Sequence, residues 1–125
     1  MESLVIDGTK STPNIILDKE KGLFQFIGNS IPENAMGFYQ PVVNWITEYL
    51  TNPNPTTEIT FKLTYFNTAS SKIIYEIIKQ HVPLKNSQNT IKIVWYYSEE
   101  DEDMLEVGKD YEELSKLPFE FISQV

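Results

Sequence analysis

The sequence predicts a mixed α/β fold, with one sheet that opens on an antiparallel hairpin and grows through strand–helix–strand units. Two observations carry that expectation. Runs rich in β-branched and aromatic residues alternate with segments whose apolar residues recur every three or four positions. Clusters of Gly, Pro, Asn and Ser separate the two kinds of segment. The resulting order is β-β-α-β-α-β-α-β, in which strand–helix–strand units make right-handed parallel crossovers and the helices cover the sheet. At 125 residues the chain suits a single domain, residues 1–125, without repeat, linker or low-complexity tract.

Taken in order, Leu4-Val5-Ile6 reads either as a short strand or as a loosely paired tail. Pro13 introduces the strand Asn14–Asp18, at a strand start where a missing N–H does least harm. Lys19-Glu20-Lys21-Gly22 is a hairpin turn, with Gly22 free to take a positive φ, and Leu23–Gly28 returns antiparallel. Phe38, Val42, Trp45, Ile46 and Tyr49 then mark one face of a helix. Pro41 interrupts that stripe, so either a kink or a main helix starting near Pro41 is expected. Thr51-Asn52-Pro53-Asn54-Pro55 ends it.

From Thr57 to Phe66 the chain is a strand, with Ile59, Phe61, Leu63 and Tyr65 on one face and Thr60, Lys62, Thr64 and Phe66 on the other. It turns directly into a helix faced by Ile73, Ile74, Ile77 and Ile78 that ends near His81. Thr90–Tyr97 is a further strand. The acidic run Glu99–Asp103 then opens a helix on which Met104, Val107, Tyr111 and Leu114 align. Leu117–Ile122 closes the chain as an edge strand, given Pro118.

Composition removes several classes of function. With no cysteine there are no disulfides, thiolate metal sites or thiol nucleophiles. The net charge of −8 and the scattering of ten basic residues argue against nucleic-acid or anionic-membrane partners. Neither a secretory signal nor an apolar run of about 20 residues is present, which makes the cytoplasm the expected location. His81 is the single histidine and, without cysteine or a second histidine, forms no usual zinc set. The glycines are too dispersed to cradle a phosphate. Glu99-Glu100-Asp101-Glu102-Asp103 lacks the alternation and turn glycine of a calcium loop. It reads as helix-start acids or as a protein-contact patch.

The stretch that draws attention is the strand-to-helix hinge Asn67-Thr68-Ala69-Ser70-Ser71. One of its four polar side chains is needed to cap the helix. Four exceed that need. A helix start also stabilises anions through free N–H groups and the positive end of the dipole. A phosphate on Thr68 or a neighbour would bring a charge of about −1.5 to −2 to a place that tolerates it, and would repel an acidic or apolar partner surface. No base or orienting group lies near these hydroxyls in sequence, so a small hydrolase using Thr68 or Ser70 is a remote alternative. A constitutive adaptor, binding through its acidic and aromatic residues, is the nearer one. Tyr65, Tyr96 and Tyr97 are candidate contacts if exposed.

Several blocks together resemble the SiaC family of bacterial regulatory phosphoproteins. They are Ser11-Thr12-Pro13, Ile31-Pro32-Glu33-Asn34-Ala35, Phe38-Tyr39-Gln40-Pro41, Leu63 to Lys72, Trp95-Tyr96-Tyr97, and Glu100 to Glu106 with Gly108. The resemblance spans nearly the whole chain. It implies a fold like that of STAS-type anti-sigma-factor antagonists, no catalytic activity and no cofactor. It further implies phosphorylation of one hinge threonine by a dedicated protein kinase and its removal by a PP2C-like phosphatase. The unphosphorylated form would bind and activate a diguanylate cyclase, promoting cyclic di-GMP synthesis and biofilm formation. The family's phosphoacceptor falls on Thr68, with Asn67, Ser70 and Ser71 shaping the hinge. Glu100, Asp101, Glu102 and Asp103 would be a docking surface for kinase or effector.

Overall fold

The computed structural model describes residues 1–125. Six strands form one sheet: β1 (Leu4–Ile6), β2 (Asn14–Asp18), β3 (Leu23–Ser30), β4 (Thr56–Phe66), β5 (Thr90–Ser98) and β6 (Phe119–Gln124). Helices α1 (Ala35–Tyr49), α2 (Thr68–Lys79) and α3 (Glu102–Ser115) make the three crossovers, and a short 3-10 turn, Val82–Asn86, follows α2. The sheet order is β1-β2-β3-β4-β5-β6, antiparallel for the first two pairings and parallel for the last three. The mixed α/β class and the leading hairpin are as the sequence predicts. Leu4-Val5-Ile6 is a paired strand, not a tail, and Gly22 takes φ +65° in the hairpin turn.

Because each parallel strand is laid beside its predecessor in one direction, right-handed crossovers bring all three helices to the same face. There α2 packs between α1 and α3. The residues that point to the helices, among them Ile15, Phe26, Phe61, Ile93 and Trp95, belong to one core cluster. The opposite face has no helical cover. On it Lys92 Nζ bridges Glu120 Oε1 at 2.8 Å and Glu58 Oε2 at 3.5 Å, joining three neighbouring strands.

Three expectations need correction. Pro41 does not start α1, which runs from Ala35 to Tyr49 with the proline inside it. Pro41 is exposed, so the carbonyl that loses its helical donor, that of Gly37, is on the side open to water. On α3 Leu114 is 65% exposed, and the buried face is Met104, Gly108, Tyr111 and Ser115. Position 108 has no room for a side chain because Trp95 fills the space beneath: a Cβ on Gly108 would stand 2.6 Å from the indole.

The third correction concerns the end of β4. Gly28 pairs with Leu63 but Asn29 pairs with Tyr65, so Thr64 is one residue too many. Such a bulge reverses the in–out alternation beyond it. Tyr65 therefore does not continue the core face of Ile59, Phe61 and Leu63; it is 58% exposed. Phe66 turns inward instead, its ring 6.3 Å from that of Trp95.

Candidate functional site: the hinge at the start of α2

The bulge decides how the chain enters α2. With Phe66 drawn into the core, Asn67 follows in extended conformation (φ −83°, ψ 174°) and its N–H donates to Ser30 O at 3.1 Å. Asn67 Oδ1 accepts from Ser70 N at 2.9 Å, which closes the N-cap. The first turn of α2 carries no acidic residue. The N–H groups of Thr68 and Ala69 have no acceptor within the protein, the usual condition of a helix start.

The four hinge side chains separate into distinct roles. Thr68 is exposed, and its hydroxyl has no partner in the chain. Ser71 is half-buried, with Oγ donating to the Thr68 carbonyl at 2.7 Å. Ser70 is wholly buried, and its Oγ accepts from Ser30 Oγ at 2.9 Å. Ser30 Oγ in turn lies 2.6 Å from Tyr39 OH, and both residues are fully buried. Burial pushes the Tyr39 phenol up to about 12, so it stays a proton donor to this chain at neutral pH. From the other side Tyr111 OH donates to Ser71 O at 2.7 Å; burial likewise raises its pKa. Ser30, Tyr39 and Tyr111 are thus hinge residues that sequence reasoning missed. The available signal was a lone hydroxyl, Ser30, continuing the inward positions Phe24 and Phe26 of β3.

The acidic run disperses. Asp101 caps α3, accepting from Met104 N at 3.0 Å, while Glu102 and Asp103 form its first turn and Glu100 is exposed in the preceding turn. No three acidic or histidine side chains converge on a metal-sized site. Two shallow depressions adjoin at the same end of the sheet. One, of about 260 Å³, lies among Tyr65, Phe66, Asp101, Asp103, Met104 and Val107. The other, of about 220 Å³, includes Tyr96, Tyr97 and Lys62, and shares Asp101 and Met104 with the first. Lys62 Nζ sits 5.4 Å from the Tyr96 ring centre. Glu100 and Glu102 line neither. His81 lies beyond the other end of α2, about 18 Å of helix away from Thr68. It is buried with Nδ1 2.8 Å from Ile77 O, and burial pulls its pKa down to about 4.

At the hinge of this small mixed α/β sheet domain, an exposed hydroxyl stands on a helix start that carries no acid of its own. Residues 6–124 match the profile of the SiaC family regulatory phosphoproteins, and the chain belongs to that family. Solved structures similar to it include two of SiaC from Pseudomonas aeruginosa. Apo-SiaC superposes with a TM-score of 0.86 at 28% identity, covering 98% of this chain and 99% of that one. SiaC bound to the diguanylate cyclase SiaD, which it activates, superposes at 0.89 with 27% identity, covering 97% and 99%. An uncharacterized protein of Pseudomonas aeruginosa strain UCBPP-PA14 is 29% identical over 119 residues, 95% of this chain and 94% of its own. No helix here is long and apolar enough to cross a membrane.

Proposed function

We propose that residues 1–125 act as one non-catalytic regulatory domain of the cytoplasm, switched by reversible phosphorylation of Thr68. A protein kinase adds the phosphate and a PP2C-like phosphatase removes it. The unphosphorylated form binds and activates a diguanylate cyclase or a similar effector, and so sets cyclic di-GMP levels and biofilm formation. The observation that carries this reading is the unpartnered, exposed Thr68 hydroxyl between two pinned neighbours, Asn67 and Ser70. The family supports it, as does the cyclase complex of the Pseudomonas SiaC.

The physical consequence of modification is local. A phosphate adds a charge of about −1.5 to −2 beside the free N–H groups of Thr68 and Ala69. Those groups and the helix dipole accept it without refolding. A partner seated over the hinge loses its fit, because the phosphate must then be desolvated. Tyr65, Tyr96, Tyr97 and the acids Glu100, Asp101, Glu102 and Asp103 are the proposed contacts around it. In the test, Thr68→Ala takes up no phosphate from a soluble extract of the source organism supplied with ATP. It also retains a diguanylate cyclase of that organism on affinity resin whether or not ATP is added. Undiminished phosphate on Thr68→Ala rules out the assignment. The adjoining depressions lined by Tyr65, Asp101 and Tyr96 favour a second reading, a constitutive adaptor. It predicts equal cyclase affinity before and after stoichiometric phosphorylation.

A further inference from the structure

Thr68 is exposed as a side chain, yet the backbone on both sides of it is fastened from within. Asn67 N–H is held by Ser30 O, and Ser70 Oγ by Ser30 Oγ, so a single residue at the end of β3 grips the chain before and after Thr68. Tyr39 of α1 completes the hydroxyl chain behind Ser30. Tyr111 of α3 holds the Ser71 carbonyl. Drawing Thr68 out as an extended segment would break all of these. It would also leave the fully buried Ser30 Oγ without the acceptor to which it donates.

We infer that Thr68 is a phosphoacceptor only in its folded setting, with Ser30, Tyr39 and Ser70 as positioning residues that hold it for a kinase that reads a helix start rather than a linear segment. The inference rests on the switch proposed above and specifies how its kinase recognises it. Chemically the step is ordinary. Thr68 Oγ1 attacks the γ-phosphorus of ATP, the bond from that phosphorus to the β,γ-bridging oxygen breaks, ADP leaves, and the hydroxyl proton passes to the kinase or to water. What the substrate contributes is the fixed direction of Oγ1, which an unfastened first turn would lose. The same fastening seals and engages the Ser70 hydroxyl two residues away, which leaves Thr68 as the hydroxyl a kinase can reach.

The sign of one measurement separates the two modes of recognition. The full chain and its Ser70→Ala, Ser30→Ala and Tyr39→Phe variants are incubated with ATP and a soluble extract of the source organism. Initial rates of Thr68 phosphorylation are followed by mass spectrometry over a range of substrate concentrations. A core variant remote from the hinge, Ile15→Val, serves as reference for a general loss of stability. Folded recognition predicts a drop of roughly 10-fold in kcat/KM for Ser70→Ala and Ser30→Ala, mainly in kcat, and about 3-fold for Tyr39→Phe, with the reference unchanged. Linear recognition predicts the opposite, faster phosphorylation as the first turn loosens. A rise, no change, or a fall matched by Ile15→Val overturns the inference.

Amide hydrogen exchange keeps this distinct from the switch itself. Ser70→Ala should accelerate exchange of the amides at positions 70 and 71 by 10-fold or more while the middle of α2 is unaffected. If the wild-type chain takes no phosphate at Thr68, the switch proposal fails. Unchanged exchange rates at the first turn, by contrast, sink the fastening alone.

Discussion

Two helices begin side by side at the same end of the sheet, and they solve the same problem differently. Both α2 and α3 are capped by a residue of the Asx type that accepts from the amide three positions on, Asn67 from Ser70 N and Asp101 from Met104 N. On α3 the cap is a carboxylate, and Glu102 and Asp103 follow it. Its dipole is answered by its own side chains. On α2 the cap is neutral and no acid follows. The electrostatic vacancy is left at the start that displays Thr68. The same side-chain capping bond therefore gives one helix start that is self-sufficient and one able to receive an anion from outside.

The sharpest way to break the comparison is through packing. The start of α2 is fastened by hydroxyls, whereas α3 depends on the absence of a side chain at Gly108. Gly108→Leu should destabilise the domain by about 3 kcal/mol or more, since its Cβ alone meets Trp95 at 2.6 Å and Phe121 at 2.9 Å. Urea unfolding measures this, and a loss under 1 kcal/mol would mean α3 can shift sideways at little cost.

The two ends of α2 offer a second contrast. Its start tolerates charge, but its far end holds a buried, neutral His81. The folded pKa of about 4 lies below the unfolded value near 6.5, so between these pH values the unfolded chain binds more protons. Stability from this group is complete above about pH 6.5 and is lost as pH falls toward 4, by up to about 3 kcal/mol. Thermal unfolding from pH 7 to 4 should show this fall, with a shallower slope in His81→Gln.

The smallest effects test the vacancy itself. Thr68→Asp should stabilise by about 0.3–1 kcal/mol at low salt, and Glu102→Gln should destabilise by a similar amount. Both differences should shrink in 1 M salt, where the screening length falls to about 3 Å. Equal responses of opposite sign would confirm that the two starts differ only in who supplies the negative charge.

Much of this was legible in the chain. The strands, the three helices and the hinge follow from residue spacing, and each lies within a few positions of its expected place. What escaped has a common cause: it depends on pairings between distant residues. The extra Thr64 is visible only against β3, and it reverses the facing of Tyr65 and Phe66. The choice of Gly108 for the inner face of α3 depends on the bulk of Trp95 on the neighbouring strand β5. Among the hinge hydroxyls one clue was local. Ser70 continues the buried stripe Ile74, Ile77 and Ile78 at helical spacing, whereas Thr68 falls on the opposite side. The partner of Ser70, Ser30, lies 40 positions away with Tyr39 bonded behind it, and nothing in the hinge itself names them.

The arrangement of strands in the order of the chain has a bearing on how the protein comes into being. No strand has to be inserted between two that are already joined, so every new segment emerging from the ribosome meets a waiting neighbour. Growth can proceed from one border to the other, each crossover adding its own helix as cover, with few wrong partners on offer. The segment that carries Thr68 is reached midway. Its fastening by Tyr111 then waits for α3, close to the last part of the chain to be made.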